Sequence, residues 1–323
     1  MTASLGEFDL IARFFTRPVR RAALGVGDDC ALLPAPAAGE QLAVSSDMLV
    51  EGRHFLSDAE PEALGHKALA VNLSDLAAVG AQPLAFTLAL ALPQADTAWL
   101  EAFARGLFAL ADAHAIELVG GDTTRGPRNL CITVLGTVPQ EQALLRSGAR
   151  PGDDLWVSGT VGDARLALGH RLGEWELAPA DQAATFARMD RPAPRVALGL
   201  ALRGVAHAAI DVSDGLLADL GHILRRSGVG ATVDADACPA TAALRAQPLQ
   251  RRRLCQLAGG DDYELLFTAA PAARDAVQAA AAQAATAVTR IGRIASQPGL
   301  RLIDAHGQVL DNAFAGFDHF RSA

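Results

Sequence analysis

Short apolar segments with strand-like patterns alternate with segments of helical periodicity along most of the chain. The predicted strands span residues 41–47, 84–92, 130–138, 155–158, 208–212 and 264–268. The predicted helices span residues 62–79, 99–113, 216–226 and 272–285, and a hairpin is predicted to turn at 306–307. Alternation of this kind is typical of α/β or α+β domains.

A concentration of turn-forming residues interrupts this alternation near the middle of the chain. Residues 146–153 read Arg-Ser-Gly-Ala-Arg-Pro-Gly-Asp between apolar segments, which favours a domain boundary. With 323 residues the chain is long enough for two domains that each bury a core. We therefore predict an N-terminal domain at 1–147 and a C-terminal α/β domain at 148–323.

Charge and composition exclude several classes of protein. The net charge of −8 argues against nucleic acid as a partner, because phosphate backbones need a basic surface. The most apolar run, at 84–92, is about half the ~20 residues that span a bilayer, so we expect no membrane segment. The N-terminus lacks the pattern of a secretory signal, and the four cysteines are scattered without zinc-site spacing. These features favour a cytoplasmic protein.

The aspartates form the most informative pattern, because most of them fall in predicted loops or at strand ends. The groups are Asp28 with Asp29, Asp47, Asp75, Asp122, Asp211 with Asp214, and Asp261 with Asp262. Taken singly, each is typical of a helix cap or an Asx turn. If they converge, their repulsion requires cations between them, and hard carboxylate oxygens suit magnesium.

Glycines precede three of these groups, at Asp28, Asp122 and Asp261, and they permit the tight turns and close backbone approach that nucleotide phosphates require. The sequence contains no Lys-bearing phosphate loop, no dinucleotide fingerprint and no protein-kinase motif pair. Phosphate transfer here would therefore depend on metal ions to gather the phosphates.

Three other features leave alternatives open. Asn72 and Asp75 lie three residues apart on one predicted helix, so they face either a shared site or the solvent. His54 is either a solvated histidine or a ligand contact. Arg146 is either an ordinary surface charge or a guanidinium that faces phosphate.

Nine motifs, read in order, resemble the thiamine-monophosphate kinase family. They occupy residues 6–12, 25–32, 45–50, 66–77, 120–126, 146–148, 210–216, 259–265 and 316–320. The Gly-Asp-Asp and Gly-Gly-Asp themes are shared with the superfamily of aminoimidazole ribonucleotide synthetase and selenophosphate synthetase. The opening Gly-Glu-Phe, the Gly-Gly-Asp-Thr-Thr-Arg-Gly stretch and the late Asp-Tyr-Glu-Leu are similar to the kinase branch in particular.

The resemblance implies a two-domain fold like that of aminoimidazole ribonucleotide synthetase. Its N-terminal domain would bind ATP and metal and form a homodimeric β-barrel, and its C-terminal domain would complete the substrate and nucleotide site. The implied ligands of several magnesium ions are Asp29, Ser45, Ser46, Asp47, Asp75, Asp122, Asp211 and Asp214. The implied ATP contacts are Gly121, Asp122, Arg146 and Ser213, and the implied contacts to thiamine monophosphate are His54, Asp261 and Phe317.

Two positions depart from the pattern that the resemblance implies. Many relatives have Glu where this chain has Asp261, and Tyr or Trp is common where it has Phe317. Phe keeps the aromatic face for stacking but lacks a polar group.

The implied reaction is transfer of the γ-phosphate of ATP to thiamine monophosphate, which yields thiamine diphosphate without a catalytic side chain beyond positioning and metal ions. Two alternatives remain at this stage. One is another ATP-using enzyme of the superfamily that activates an amide or a selenide. The other is a nucleotide-binding sensor without catalytic activity.

Overall fold

The computed structural model describes residues 6–311 and residue 314 of the protein. These residues divide into two compact units. The described part of unit 1 comprises residues 6–76 and 81–141, and that of unit 2 comprises residues 77–80, 142–311 and 314. The predicted boundary between residues 147 and 148 stays a prediction. Phe317, an implied substrate contact, lies outside the described residues.

Unit 1 is built on a four-stranded mixed sheet. Its strands are β1 (Glu40–Val50), β2 (Gln82–Leu92), β3 (Glu117–Arg125) and β4 (Asn129–Pro139). Its helical segments are α1 (Glu7–Leu10), a π-helical turn (Ile11–Phe15), α2 (Pro61–Val79, whose last turn is assigned to unit 2) and α3 (Thr97–Ala113). The strand order is β1-β4-β2-β3, in which β4 is antiparallel to β1 and β2, and β2 is parallel to β3.

Helix α3 joins the parallel strands β2 and β3 and buries its apolar side. The four residues predicted to face inward, Leu100, Phe103, Leu107 and Leu110, are all buried. Two glycines bring α2 and α3 into close contact. A Cβ atom at Gly65 would lie 2.0 Å from the Phe103 carbonyl oxygen, and one at Gly106 would lie 1.8 Å from that of Glu62. The two helices therefore pack backbone against backbone, which fixes the position of α2 in the unit.

Unit 2 is built on a seven-stranded mixed sheet. Its strands are β5 (Asp154–Ser158), β6 (Ala208–Asp211), β7 (Gly230–Asp234), β8 (Leu265–Ala269), β9 (Val288–Ala295), β10 (Gly299–Ile303) and β11 (Val309–Leu310). Its helices are α4 (Asp163–Arg171), α5 (Pro179–Asp190), α6 (Val196–Ala201), α7 (Leu216–Ser227), α8 (Ala242–Arg245), α9 (Leu249–Ala258) and α10 (Arg274–Gln283), the last of which follows a 3-10 turn (Pro271–Ala273).

The strand order in this sheet is β11-β10-β7-β9-β5-β8-β6. The apolar side of α7 packs on the sheet, because Leu216, Leu220 and Ile223 share one buried cluster with the strand residues Leu155 and Ile210. This packing fixes the start of α7 beside the end of β6. The short loop between the two elements contains Asp214 and follows Asp211 directly.

The predicted two-domain mixture of helices and strands is confirmed at this level. The predicted β-barrel is not visible, because the sheet of unit 1 is open among the described residues, with β1 and β3 at its edges. Within the described part of the chain, no helix combines the length and the apolar character needed to cross a membrane.

Candidate functional site

Polar side chains join the first strand of unit 1 to helix α2. The Ser45 hydroxyl donates a hydrogen bond to the Asp75 carboxylate at 2.5 Å, and the backbone N–H of Asp47 donates to the side-chain oxygen of Asn72 at 3.1 Å. Asn72 is only 1% exposed, and its amide also donates to the Ala68 carbonyl. Asn72 and Asp75 therefore face the same strand, and a solvated helix face is excluded for Asn72.

The alternation of β1 separates the two implied serine ligands. Ser45 and Asp47 point to one face of the strand, and Ser46 points to the other. The Ser46 hydroxyl lies 2.9 Å from the Thr133 hydroxyl and donates to the Ile132 carbonyl at 3.1 Å. If Ser46 binds the same cation as Ser45 and Asp47, it would do so through its backbone oxygen.

Asp122 lies within strand β3, whereas the sequence pattern predicted a loop. Gly121 pairs with Leu88 of β2, and Asp122 pairs with Ala89. Gly121 has a φ of +148°, and a Cβ atom there would lie 1.9 Å from the Leu88 carbonyl oxygen. The Gly-Gly pair thus permits a close approach of two strands and not a turn. The Asp122 side chain is exposed at this edge of the sheet.

Two other predicted site residues of unit 1 lie in irregular segments. Asp29 is exposed in a loop, where its backbone N–H donates to the Asp28 carboxylate at 2.8 Å. His54 belongs to the turn after β1, where its Nδ1 atom accepts a hydrogen bond from the Val50 N–H at 3.0 Å. A neutral imidazole with Nδ1 as acceptor carries its proton on Nε2. His54 therefore presents Nε2 as a donor, the form that suits a phosphate oxygen.

In unit 2, the end of β6 and the loop that follows it contain three of the predicted residues, and a second loop, residues 259–264, holds the first in place. Asp211 is buried at the end of β6, and Ser213 and Asp214 are half-buried. The Ser213 carbonyl accepts a hydrogen bond from the Asp261 N–H at 2.8 Å, and the Val212 carbonyl accepts one from the Tyr263 N–H at 2.9 Å. The structure therefore brings Asp261 next to the loop of Ser213 and Asp214.

The second loop adopts a conformation that few residues tolerate. Asp261 and Tyr263 have φ angles of +68° and +52°, in the left-handed region. A Cβ atom at Gly260 would lie 2.1 Å from the Ser213 carbonyl oxygen. Non-glycine residues in this region cost about 1–3 kcal/mol each and are concentrated at functional sites. The contact between the loops therefore persists against a local backbone cost.

Asp219, in the first turn of α7, holds the loop of Ser213 and Asp214 from within the unit, and the sequence patterns did not single it out. The backbone N–H groups of Ser213, Asp214 and Gly215 donate to its Oδ2 atom at 3.0, 3.1 and 3.1 Å. Asp219 is 3% exposed. Burial, and then the charge of Asp214, raise its pKa to about 7 in spite of these hydrogen bonds. An acidic residue in a first helical turn was the available signal, but it is common to many helices.

A buried ionic cluster lies behind the second loop. Glu264 is 1% exposed and accepts hydrogen bonds from Arg195 at 2.5 and 2.6 Å and from Arg188 at 2.7 Å. The Ser158 hydroxyl donates to the same carboxylate at 2.6 Å. Burial raises the pKa of Glu264, but the hydrogen bond and charge of Arg195 and the charge of Arg188 outweigh burial and lower it. Asp262, whose carboxylate accepts the Gly162 N–H, has a pKa raised well above its usual range by burial.

The remaining predicted contact, Arg146, is exposed, and its carbonyl accepts a hydrogen bond from the Ser227 hydroxyl at 3.3 Å. Among the described residues, no three His, Cys, Asp or Glu side chains come together as a metal-binding group. The donors in each unit are nonetheless hard oxygens, and Ser45 and Asp75 lie in direct contact. Magnesium keeps several of its waters and binds through one or two carboxylates, so such a donor set fits it.

Comparison with protein families gives two matches that together cover most of the chain. Residues 27–138 match the N-terminal domain of AIR synthase related proteins, and residues 150–305 match their C-terminal domain. The chain is 46% identical to thiamine-monophosphate kinase of Salmonella typhimurium over 322 residues, which cover 98% of each chain.

Solved structures agree with these matches. The structure is similar to a crystal structure of thiamine-monophosphate kinase from Stenotrophomonas maltophilia K279a, with a TM-score of 0.84 and 52% identity, covering 93% of this chain and 95% of that one. It is also similar to AaThiL complexed with AMPPCP and TMP, with a TM-score of 0.77 and 30% identity, covering 89% of this chain and 90% of that one.

Proposed function

The chain belongs to the AIR synthase related family and, within it, to the thiamine-monophosphate kinases, and from this membership we propose how its residues carry out the reaction. It transfers the γ-phosphate of ATP to thiamine monophosphate and forms thiamine diphosphate and ADP. The observation that carries this conclusion is the 46% identity to a thiamine-monophosphate kinase over 98% of the chain. The similarity to AaThiL in complex with AMPPCP and TMP supports ATP and thiamine monophosphate as the two substrates.

Magnesium ions are proposed at oxygen ligands in both units. The proposed ligands are Asp29, Ser45, Ser46, Asp47, Asp75 and Asp122 in unit 1, and Asp211 and Asp214 in unit 2. The hydrogen bond from Ser45 to Asp75 supports the binding of these two side chains to the same cation. When bound, magnesium offsets the negative charge of the phosphates.

The other proposed contacts are to the two substrates. Gly121, Asp122, Arg146 and Ser213 would bind ATP, and His54, Asp261 and Phe317 would bind thiamine monophosphate. The adjacency of Asp261 to the loop of Ser213 supports a role for both loops in the same reaction. His54, with its proton on Nε2, would orient the acceptor phosphate by donating a hydrogen bond to it.

The transfer requires little chemistry from the side chains. A terminal phosphate oxygen of thiamine monophosphate forms a bond to the γ-phosphorus, the bond from that phosphorus to the β–γ bridging oxygen breaks, and ADP leaves. The attacking phosphate is already largely ionised at neutral pH, so no general base is needed. The protein contributes by holding the two reacting groups in line and by excluding alternative geometries.

The test of this function is phosphorus NMR of the purified protein with ATP, magnesium and thiamine monophosphate. We expect thiamine diphosphate and ADP only when all three are present, and no product from thiamine itself. Asp75→Asn and Asp122→Asn should each lower turnover and raise the magnesium requirement, whereas Asp112→Asn, an exposed residue of α3, serves as the matched control. Full activity of the two folded variants, with an unchanged magnesium requirement, would refute the ligand assignment.

We also propose a homodimer formed through unit 1. Among the described residues, β1 is an edge strand of eleven residues and exposes Leu42, Val44 and Met48, which are 45%, 59% and 52% exposed. A long apolar edge strand promotes pairing with another chain. Val44→Lys should shift the protein toward the monomer in sedimentation velocity, and an unchanged dimer would contradict this interface.

The division into an N-terminal part at 1–147 and a C-terminal part at 148–323, and a cytoplasmic location, are further parts of the proposal. Both rest on the sequence patterns described above.

A further inference from the structure

The loop that contains Ser213 and Asp214 has all three of its consecutive N–H groups directed at one buried oxygen. Ser213, Asp214 and Gly215 donate to Oδ2 of Asp219, four residues into the first turns of α7. The carboxylate lies inside the unit, since Asp219 is 3% exposed. A single side chain therefore determines the course of the backbone through three positions.

This arrangement decides which atoms the loop can offer to a ligand. The N-terminus of a helix ordinarily presents unsatisfied N–H groups that attract phosphate. Here Asp219 accepts hydrogen bonds from the N–H of the N-cap residue Gly215 and from the two loop N–H groups before it, and the Ser213 carbonyl accepts one from the Asp261 N–H. The groups left to face a ligand include the Ser213 hydroxyl and the Asp214 carboxylate, both oxygen donors. Such a loop is suited to a cation and not to a bare anion.

The position of α7 does not depend on Asp219. The helix is held by its apolar side, through Leu216, Leu220, Ile223 and Leu224, which are all buried in the core of unit 2. Burying a carboxylate is costly, and the three backbone donors offset only part of that cost here. The cost is thus incurred to shape the loop, since the helix is already fixed by hydrophobic packing.

We infer that Asp219 is a positioning residue, which holds the Ser213 and Asp214 oxygens in the geometry that receives the magnesium–ATP complex. This inference rests on the proposed function, because it assumes that this loop binds the metal and the nucleotide. Asp219 itself touches neither substrate and acts through the backbone of its three donors.

The inference is tested by substituting Asp219 in the full-length protein. Asp219→Ala removes all three acceptor contacts, and Asp219→Asn keeps an uncharged oxygen acceptor of the same shape. Asp275→Asn, an exposed acidic residue in the first turn of α10, is the matched control. For each variant we would measure the affinity for ATP by calorimetry at fixed magnesium, the half-saturating magnesium concentration for turnover, and the melting temperature.

We expect Asp219→Ala to weaken ATP binding by at least about tenfold and to raise the half-saturating magnesium concentration by a similar factor, because the loop oxygens would no longer be held in position. Asp219→Asn should fall between Asp219→Ala and the wild type, and Asp275→Asn should match the wild type. Should Asp219→Ala fail to fold, the Asn variant alone decides the outcome. Weaker ATP binding than in the wild type supports the inference, and wild-type ATP binding overturns it.

A lower melting temperature with unchanged ATP affinity and magnesium dependence would overturn the inference, because Asp219 would then be only a structural residue. The calorimetric result separates this failure from failure of the proposed function. If the wild type binds magnesium–ATP but makes no thiamine diphosphate, the kinase function fails and the role of Asp219 is still read from the affinities. If the wild type binds no magnesium–ATP, both conclusions fail.

Discussion

Removing the carboxylate of the buried ionic cluster in unit 2 tests how much that cluster contributes to the free energy of unfolding. Glu264→Gln keeps the size of the side chain but leaves Arg188 and Arg195, whose side chains are 27% and 18% exposed, without their buried counter-charge. Breaking a buried ion pair by removing one partner typically costs about 3–5 kcal/mol. We therefore expect Glu264→Gln to lower the free energy of unfolding of unit 2 by about that amount.

The assay is urea denaturation followed by tryptophan fluorescence. Trp156, which is 5% exposed in β5, reports on unit 2, and a Trp99→Phe background removes the signal of unit 1. At a slope of about 3 kcal/mol per molar urea, the midpoint should fall by about 1–1.7 M. Glu174→Gln, which removes a partly exposed carboxylate from a pair with Arg165, is the control and should cost no more than about 1 kcal/mol.

The pH dependence of the same variant provides a second measurement. The pKa of Glu264 is lower in the folded protein than its ordinary value of 4.5, so its contribution to stability is present above that pH and is lost as the pH falls through the folded pKa. The wild type should therefore lose stability more steeply than Glu264→Gln in this acidic range. If the variant loses less than about 1 kcal/mol at neutral pH, or if the two acid profiles are parallel, the assignment of Glu264 as a stabilising counter-charge is wrong.

Two further predictions concern the contact between the two loops and the thiols. Gly260→Ala places a methyl group 2.1 Å from the Ser213 carbonyl oxygen, so we expect the two loops to separate. Turnover should fall at least about tenfold, with a smaller effect on the melting temperature. Steady-state kinetics would measure the turnover, and calorimetry would measure the melting temperature. The Cys30 thiol is exposed, whereas burial raises the pKa of Cys238 and Cys255 to about 12. A thiol reagent at neutral pH should therefore modify Cys30 in the folded protein and reach the two buried cysteines only after denaturation, as read by mass spectrometry; modification of either buried cysteine under native conditions would contradict their burial.

The elements with strong local periodicity could be predicted from the sequence. Helix α3 was predicted from the spacing of Leu100, Phe103, Leu107 and Leu110, and these four residues are buried. Strand β3 was missed, because Gly120, Gly121 and Asp122 together resemble a turn. Its strand conformation comes from pairing with β2, and such pairing leaves no local signal.

The candidate site could be predicted only as a set of residues and not as an arrangement. The spacing of Asn72 and Asp75 indicated a common direction on α2, and both contact β1. The role of Asp219 was hidden, since the spacing of an acidic residue does not say which N–H groups it accepts. The pairing of Glu264 with Arg188 and Arg195 was hidden as well, because these residues are distant in sequence and meet only through the tertiary fold.

The strand order of unit 1 also constrains how the protein emerges from the ribosome. Strand β4 lies between β1 and β2, yet it is the last strand of the unit in the chain. Glu40 of β1 pairs with Pro139 of β4, so this pair cannot form until Pro139 has been synthesised. At a synthesis rate of about 5–20 residues per second, β1 is exposed for roughly 5–20 s before its partner is available. Two long apolar strands are thus held without their central neighbour during translation, an interval in which chaperones have their greatest opportunity to bind. The folding of unit 1 is coupled to the completion of its own synthesis.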